Sequence, residues 1–380
     1  MKQNELFPKI RFKEFTNAWE QWKAKNLFIS FREKNILNNN LISYSVSNRD
    51  GFINQREYFD DGGKAVYASK KNSLIIDFNT FAYNPSRINV GSLCLYKNKE
   101  KGLVSPIYEV FKLRNDQNPD FFYLWFKTGI FKKIIANNSN KSVRDTLNLK
   151  QFEDQLIITP ILSEQNTISS LFSVLDSLIT LHQWECNFWK FRNFVFDFLK
   201  FSTRFLKKIQ KYTHTWEQWK LSNIVQYKSS SMTSKDLIPY GKYDVYDPNR
   251  IAGKTNESPV EKEYISVVKD GDAGRIRLLP KNTMILSTMG ALLASEGSNI
   301  EFIYFLLSNK NDLAKERNGS IIPHIYFRDY GENLYNIPKS NEQSKISSLF
   351  SNLDSLITLH QRKLELLKNI KNTLLEKMFL

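Results

Sequence analysis

The chain has 380 residues, enough for two or three folded domains, so a peptide or a single small module is excluded. Its 41% hydrophobic and 24% charged residues are ordinary for a folded protein and exclude a disordered chain. The 54 Lys and Arg residues against 39 Asp and Glu give a formal charge of +15, which favours a polyanionic partner, either nucleic acid or a membrane surface.

The N-terminal segment, residues 1–23, has no apolar core of signal-peptide length. Cys94 and Cys186 form neither a CxxC pair nor a cluster with histidines, which argues against a disulfide framework and a structural zinc site and favours a reducing cytoplasm. Residues 188–206 are the nearest approach to a membrane span, but five charged side chains interrupt them. No transmembrane helix and no membrane partner are predicted.

Two bodies of mixed character follow, at 24–159 and 216–337. Strands are predicted at 73–78, 264–268 and 283–287, where β-branched and apolar residues lie between turn residues. Helices are predicted at 121–135 and 301–316. Each body is therefore expected to be a compact α+β domain.

The segments after the bodies, 160–215 and 338–380, contain an internal repeat. Residues 168–183 read ISSLFSVLDSLITLHQ and residues 346–361 read ISSLFSNLDSLITLHQ, an offset of 178. WEQWK also occurs twice, at 19–23 and 216–220, an offset of 197. The chain is a tandem duplication, and the shorter second body accounts for the difference between the offsets.

Each repeated segment carries the signals of a long helix. Each begins with a proline, a polar stretch and Glu-Gln, which are signals of a helix start. The apolar residues that follow recur at alternating steps of three and four and so form a heptad seam. Such a seam needs a partner helix, and the economical partner is the other copy of the repeat. The residues predicted to form this seam are Leu171, Leu175 and Leu178 in the first helix, and Phe350, Leu353, Ile357, His360, Leu364 and Leu367 in the second.

Familiar catalytic signatures are missing from the sequence. It contains no Gly-x-Gly, no P-loop and no Asp-x-Lys or Glu-x-Lys, which argues against nucleotide-binding loops and a metal-dependent nuclease site. His182 and His360 share one repeat position, for which packing or an interhelical hydrogen bond is favoured over a metal or acid/base role. For His324 two interpretations stay open, a contact with a phosphate or a base, or a plain loop residue.

Two divergent bodies, each followed by a near-identical helix, resemble the specificity subunit of a type I restriction-modification enzyme. The features that carry this resemblance are the duplicated helix, the exits TPILSEQ and NIPKSNEQ, the WEQWK starts and the terminal HQRKLELLKNIKNTLLEKMFL. One departure is Trp184-Glu185-Cys186, where the second copy has Arg362-Lys363-Leu364. Three explanations of this departure stay open: sequence drift within a tolerant interface, a weakened surface for docking the methyltransferase, or an altered spacer length.

The resemblance implies an α+β fold with two α/β target-recognition domains separated by long antiparallel coiled-coil helices, related by an internal pseudo-twofold repeat. It implies a non-catalytic subunit that reads a bipartite, asymmetric sequence in double-stranded DNA. Two methyltransferase subunits and two restriction/translocase subunits are the implied protein partners. No cofactor is expected on this chain, since S-adenosylmethionine, ATP and Mg would belong to the partners.

Side-chain chemistry indicates candidate DNA-binding residues, because arginine suits guanine edges, Asn and Gln suit adenine, and lysine suits phosphate. In the first body they are Ser45, Asn48, Arg49, Gln55, Arg56, Asn84, Arg87, Asn89, Lys97, Lys99, Lys101, Lys141 and Arg144. In the second body they are Lys242, Asn249, Arg250, Lys254, Thr255, Arg275, Arg277, Arg317, Asn318, His324 and Arg328.

The charge is distributed unevenly between the bodies. Residues 24–159 contain 20 basic and 13 acidic residues, whereas residues 221–337 contain 14 of each. Non-specific attraction to phosphate is therefore expected chiefly from the first body. The alternatives to a recognition subunit are a self-contained DNA-modifying enzyme with an unfamiliar site and a coiled-coil adaptor that does not contact DNA.

Overall fold

The computed structural model describes residues 6–58, 70–138, 147–189, 216–310, 312–319 and 322–379. It divides into two compact units. Unit 1 comprises Met1–His182 together with Lys363–Leu380, and unit 2 comprises Gln183–Arg362. These divisions fall inside the long helices, so the sequence-based boundaries at 23, 159, 215 and 337 remain predictions.

Unit 1 alternates short strands with a few helices. Its strands are β1 (Glu20–Lys23), β2 (Phe28–Ser30), β3 (Ile42–Ser47), β4 (Gly51–Asn54), β5 (Leu74–Ile76), β6 (Phe81–Tyr83), β7 (Leu93–Leu95), β8 (Gly102–Val104), β9 (Glu109–Leu113) and β10 (Leu156–Thr159). Its helices are α1 (Gln55–Tyr58), α2 (Pro119–Trp125), α3 (Gly129–Asn138) and the greater part of α4 (Leu162–Trp189).

Unit 2 follows the same plan. Its strands are β11 (Glu217–Lys220), β12 (Val225–Ser229), β13 (Tyr243–Tyr246), β14 (Ile251–Thr255), β15 (Tyr264–Val268), β16 (Ile276–Leu279), β17 (Thr283–Ile285), β18 (Met289–Ala294) and β19 (Leu334–Ile337). Its helices are α5 (Leu221–Ile224), α6 (Ile300–Lys310), α7 (Phe327–Tyr330) and the first part of α8 (Ser340–Lys377).

Apart from β5, the described strands of the two units share one topology. In unit 1 the sheets have the orders β2-β9-β6-β7 and β4-β3-β8-β5, and in unit 2 the orders β12-β18-β15-β16 and β14-β13-β17. Both contain one parallel pairing, β3 with β8 and β13 with β17. β1 pairs with β10 as β11 pairs with β19, so each WEQWK strand closes its body. The mixed sheets and helices confirm the predicted α+β fold and its internal repeat.

The predicted elements differ from the observed ones mainly at their ends. β15 has the predicted bounds, because its sequence YISVV is β-branched or aromatic at four of five positions and buried throughout. The helix predicted at 121–135 is interrupted, since the Thr128 hydroxyl donates 2.7 Å to the Trp125 carbonyl and ends α2 before Gly129 begins α3. The helix predicted at 301–316 is α-helical to Lys310 and continues as a 3₁₀ helix at Asp312–Glu316.

The core of unit 1 is rich in aromatic rings. Phe81 and Phe111 stack with their centroids 5.0 Å apart, and Phe126 packs edge-on against both. Met378 and Phe379, which follow α8, are buried in this core, where Phe379 stacks on Phe121 at 5.2 Å. The distant C-terminal residues therefore complete the hydrophobic core of the first body.

The predicted seam of α8 agrees with the burial of its side chains. Phe350 is buried and Leu353, Ile357, His360, Leu364 and Leu367 are half-buried, whereas the positions between them are mostly exposed. In α4 the prediction was wrong at Leu178, which is 38% exposed, and Leu171 is only half-buried. The buried row of α4 consists of Ile168, Phe172, Leu175 and Ile179. At the repeat offset of 178 these residues correspond to Ile346, Phe350, Leu353 and Ile357 of α8.

Within unit 1 the two long helices lie antiparallel. Phe172 of α4 contacts Phe379 with ring centroids 6.3 Å apart, and one turn later Asp176 pairs with Lys371. In unit 2, Glu185 and His360 are 2.7 Å apart, Oε2 to Nδ1. None of the helices in the described residues combines the length with the apolar composition that a membrane span requires.

Candidate nucleic-acid interface

In unit 1 the candidate residues converge on two neighbouring loops. The turn between β3 and β4, residues 47–51, carries Asn48 and Arg49 at its tip, and Gly51 closes it with φ +73°. The connection between β6 and β7, residues 84–92, carries Arg87 and, near its end, Gly91. A Cβ atom added at Gly91 would lie 3.9 Å from Asn48 Cβ. We name these two segments the unit 1 loop pair.

Local hydrogen bonds hold the unit 1 loop pair in place. The Asn84 side chain accepts from Ser86 N at 3.0 Å and caps the 3₁₀ helix that carries Arg87. The Cys94 thiol donates to the Ser47 carbonyl at 3.2 Å, and burial raises the pKa of Cys94 to about 11, so the thiol stays protonated. The Arg49 side chain is 87% exposed beside Asp50 and remains accessible to a ligand.

The other candidates of unit 1 lie in different settings. Gln55 Nε2 donates 3.0 Å to Ser45 Oγ, so these two half-buried side chains satisfy each other. Arg56 is exposed at the start of α1. Lys97, Lys99 and Lys101 are exposed in the connection between β7 and β8, with Lys97 Nζ 2.8 Å from Asp120 Oδ2. Lys141, Arg144 and the side chain of Asn89 lie outside the described residues.

Unit 2 brings the equivalent loops together by direct contact. The turn between β13 and β14, residues 247–250, carries Asn249 and Arg250, and Asp247 Oδ1 accepts from both of their backbone N–H groups at 2.6 Å. The connection between β15 and β16, residues 269–275, ends in Arg275, whose Nη1 donates 2.8 Å to Asn249 Oδ1. We name these segments the unit 2 loop pair. Arg277 lies beside it, with its guanidinium 5.4 Å from the centre of the Tyr246 ring.

A surface cavity of about 280 Å³ adjoins the unit 2 loop pair. Asp272 lies between two arginines of its lining, 3.5 Å from Arg275 and 3.6 Å from Arg317. Arg317 Nε also donates 2.7 Å to the Ala273 carbonyl. Gly274, at φ +84°, passes so close to Ala314 that a Cβ atom would come within 2.8 Å of its backbone nitrogen. Backbone packing therefore fixes Arg275 and Arg317 on one surface.

The remaining candidates of unit 2 are less concentrated. Thr255 was an incorrect choice, because it is 3% exposed at the end of β14 and its hydroxyl accepts from Glu257 N at 3.1 Å. Lys254 pairs with Asp244 at 2.7 Å, and Lys242 lies over the Tyr243 ring. Asn318, His324 and Arg328 lie in a third segment, in which Asn318 and His324 exchange backbone hydrogen bonds of 2.9 Å.

This third segment joins the unit 2 loop pair through its backbone. Gly271 N donates 2.9 Å to the Pro323 carbonyl, which places His324 beside the connection between β15 and β16. The guanidinium of Arg328 lies 4.9 Å from the centre of the Tyr326 ring, which is 46% exposed. Tyr326 was not among the predicted residues, although its position between His324 and Arg328 was visible in the sequence.

A family model described as the type I restriction modification DNA specificity domain matches residues 2–187 and again residues 213–369. The chain belongs to this family. The two matched regions contain the two copies of the repeat, and the predicted family and class of protein, a DNA specificity component, are confirmed.

Individual relatives agree at lower coverage. The chain is 24% identical over 170 residues to a putative type I specificity subunit of Mycoplasma pneumoniae, an alignment of 43% of this chain and 45% of the relative. It is 27% identical over 179 residues to the specificity subunit of the type I restriction enzyme MjaVIII of Methanocaldococcus jannaschii, covering 43% and 42%. Each alignment thus spans less than half of the relative.

A solved structure matches over almost the full length. The S subunit of a type I restriction-modification system from M. genitalium aligns with 98% of this chain and 99% of its own, with a TM-score of 0.58 and 20% sequence identity. At this identity the match concerns the fold, and it agrees with the duplicated α+β architecture.

Proposed function

We propose that this chain is the DNA-recognition subunit of a type I restriction-modification complex, and that each loop pair reads one half of a bipartite, asymmetric target in double-stranded DNA. The observation that carries the proposal is the recurrence of one arrangement on two divergent sequences. In each unit an Asn-Arg turn lies beside a second loop that carries an arginine, Arg87 or Arg275.

The chemistry of these side chains fits base edges in the major groove. An arginine fork matches the two acceptors of guanine, and an asparagine amide matches the donor and acceptor of adenine. Arg49 and Arg250 are 87% and 84% exposed, so either reaches a groove without first leaving a buried site. Lys97, Lys99 and Lys101 then supply phosphate contacts, which orient the protein on DNA without reading sequence.

The long helices offer a second kind of surface, which we assign to two methyltransferase subunits. Besides the buried seam, each helix exposes a row of apolar side chains: Val174, Leu178 and Leu181 on α4, and Leu349, Leu356, Leu359 and Leu366 on α8. Apolar side chains exposed along one side of a helix are typical of protein interfaces. Two restriction/translocase subunits complete the complex in the cytoplasm, and S-adenosylmethionine, ATP and Mg are bound by the partners.

The test of readout uses the chain co-expressed with the methyltransferase subunit of its host. Arg49→Ala and Arg87→Ala are expected to relax discrimination in one half-site, and Arg250→Ala and Arg275→Ala in the other. Losing a bidentate base contact costs about 1 to 3 kcal/mol at one base pair, whereas losing a phosphate contact weakens all sequences alike and lowers the salt slope by about one unit.

Binding to a panel of single-base variants at two salt concentrations separates these outcomes. Arg114→Ala is the matched control, because Arg114 is a half-exposed arginine that follows β9 at the end away from Tyr83 and the unit 1 loop pair. Equal weakening of every DNA variant would remove the base-contact assignments. A product formed by the purified chain alone with DNA, magnesium, ATP and S-adenosylmethionine would overturn the proposal in favour of an enzyme.

A further inference from the structure

A duplicated Glu-Gln pair opens both long helices, and its glutamines are buried. Gln165 in α4 is 0% exposed and Gln343 in α8 is 3% exposed. Buried amides are unfavourable at a helix start unless each polar atom has a partner. The two glutamines occupy the same position in the repeat, so a comparison of their contacts shows what the duplication has retained.

Both glutamines make the same two hydrogen bonds. Gln165 Nε2 donates 2.8 Å to the Pro160 carbonyl, and its Oε1 accepts 2.8 Å from the backbone N–H of Asn118. In unit 2, Gln343 Nε2 donates 2.9 Å to the Pro338 carbonyl, and its Oε1 accepts 2.8 Å from the backbone N–H of Asn299. One amide thus joins the exit from the body to a second point within the same body.

That second point is the start of a body helix. Asn118 caps α2 through a 3.0 Å hydrogen bond from Phe121 N to its side chain, and Asn299 caps α6 through a 2.8 Å bond from Phe302 N. Each glutamine therefore ties the first turn of a long helix to the first turn of the helix packed in the core of the body. The duplicated sequence retains a joint between body and long helix.

The neighbouring glutamate adds a third point. Trp19 Nε1 donates to Glu164 Oε1 at 3.3 Å, and Trp216 Nε1 donates to Glu342 Oε1 at 3.1 Å. Both tryptophans begin the repeated WEQWK segments, which lead into β1 and β11. The body helix, the closing strand and the exit to the long helix thus converge on one Glu-Gln pair in each unit.

We propose that Gln165 and Gln343 are positioning residues that fix the direction in which each long helix leaves its recognition body, and so set the spacer length that the complex accepts. This inference rests on the proposed function. The 38 residues of α8 extend about 57 Å at 1.5 Å per residue. Over that length, a change of about 10° in the direction of a helix amounts to about 10 Å, roughly three base-pair steps of 3.4 Å.

The experiment replaces each glutamine by methionine, which retains the length of the side chain and removes every hydrogen bond of the amide. At Gln165 these include the bonds from Nε2 to Gln117 Oε1 at 2.9 Å and to Thr159 Oγ1 at 3.0 Å. The repeat supplies matched controls, Gln183→Met and Gln361→Met, at exposed positions on the same two helices. Each variant, assembled with the host methyltransferase subunit, is tested on DNA whose spacer is one or two base pairs shorter or longer than the preferred length. The same samples are tested on single-base variants of each half-site.

Gln165→Met and Gln343→Met are expected to lower discrimination against a wrong spacer at least ten-fold while base preference in both half-sites stays unchanged. The controls should match the wild type. The inference would be overturned if the folded methionine variants discriminated between spacers as the wild type does. It would also be overturned if they lost DNA affinity equally on every spacer length. If Gln343→Met fails to fold, Gln343→Glu retains the acceptor for Asn299 N, removes the donor to Pro338, and is judged by the same criteria.

This design separates the inference from the function on which it rests. A wild-type complex that binds equally well at all spacer lengths would contradict bipartite recognition itself. A wild-type complex with a strict spacer and variants that retain it would contradict only the role of the glutamines.

Discussion

Asp77 shows how a single charged residue contributes to the first body. Its carboxylate accepts from Lys112 Nζ at 2.8 Å and from Thr80 Oγ1 at 2.6 Å, which joins the end of β5 to β9. Burial acts to raise the pKa of Asp77, but these hydrogen bonds outweigh it and hold the pKa below its ordinary value. The ionised carboxylate is therefore favoured by the fold.

We expect Asp77→Asn to lower the free energy of unfolding at pH 7 by about 1.5 to 3 kcal/mol, as for other hydrogen bonds to charged groups. Because the folded pKa is depressed, this contribution is fully present above the ordinary value of 3.8 and is lost as the pH falls through the folded pKa. Thermal unfolding should show the difference between the two proteins narrowing as the pH falls below 3.8.

Asp116→Asn is the control for this measurement, because Asp116 is 55% exposed and lies 3.7 Å from Arg114, an ion pair worth little. An Asp77→Asn difference that does not narrow as the pH falls below 3.8 would show that the carboxylate does not act through its charge.

At the residue scale the sequence indicates which side chains suit base edges but not all of those that are accessible. Arg49, Arg250 and Arg275 have suitable side chains, and all three lie on exposed loops. Thr255 was selected by the same reasoning and is buried, since the backbone at Gly241 packs against it at the end of β14. That packing joins residues of different segments, and no local pattern indicates it.

At the scale of elements, steps of three and four residues predicted which face of α8 is buried. In α4 the same reasoning selected Leu178 instead of the adjacent Ile179. Both residues are apolar, and periodicity over a short stretch does not distinguish them. Alignment of the repeat at its offset of 178 selects Ile179, the counterpart of Ile357. Comparison of the two copies is thus more informative than either copy alone.

Substitutions in the buried seam of α4 and in its exposed apolar row are expected to have different effects. Leu175 is 7% exposed, so Leu175→Asp places an unpaired charge in the seam and should destabilise unit 1 by several kcal/mol. Leu178→Asp, at 38% exposure, should leave stability nearly unchanged and weaken binding of the methyltransferase subunit. Chemical denaturation and co-purification with the partner measure the two effects, and a similar stability loss in both variants would contradict the assignment of rows.

At the scale of the whole molecule, the repeat predicted two bodies followed by two helices but not which residues complete which core. The core of the first body depends on contacts between residues that lie far apart in the sequence, such as Phe121 with Phe379. The N-terminal segment contributes as well: Arg11 forms two 2.7 Å hydrogen bonds to the buried Glu164, and Ile10 N donates to the Lys377 carbonyl at 2.9 Å.

Phe379→Ala should therefore destabilise the first body although residue 379 follows the second. We expect a loss of about 3 to 5 kcal/mol, typical of truncating a buried phenylalanine, confined to unit 1. Hydrogen exchange should report faster exchange in peptides from 81–113 and 119–138 and unchanged exchange in 264–307. Leu366→Ala, at a 59% exposed position of α8, is the control, and equal protection loss in both units would contradict the prediction.

The burial of Met378 and Phe379 in unit 1 also has a consequence for synthesis on the ribosome. Most domains fold from the N-terminus as the chain emerges, at about 5 to 20 residues per second. Unit 1 lacks part of its core until residues 378 and 379 are made, and the roughly 200 residues after His182 take about 10 to 40 s at that rate. We therefore expect the surface around Phe121, on which Phe379 stacks in the folded protein, to stay uncovered during this interval, and the nascent first body to be the part of the molecule that most needs chaperones.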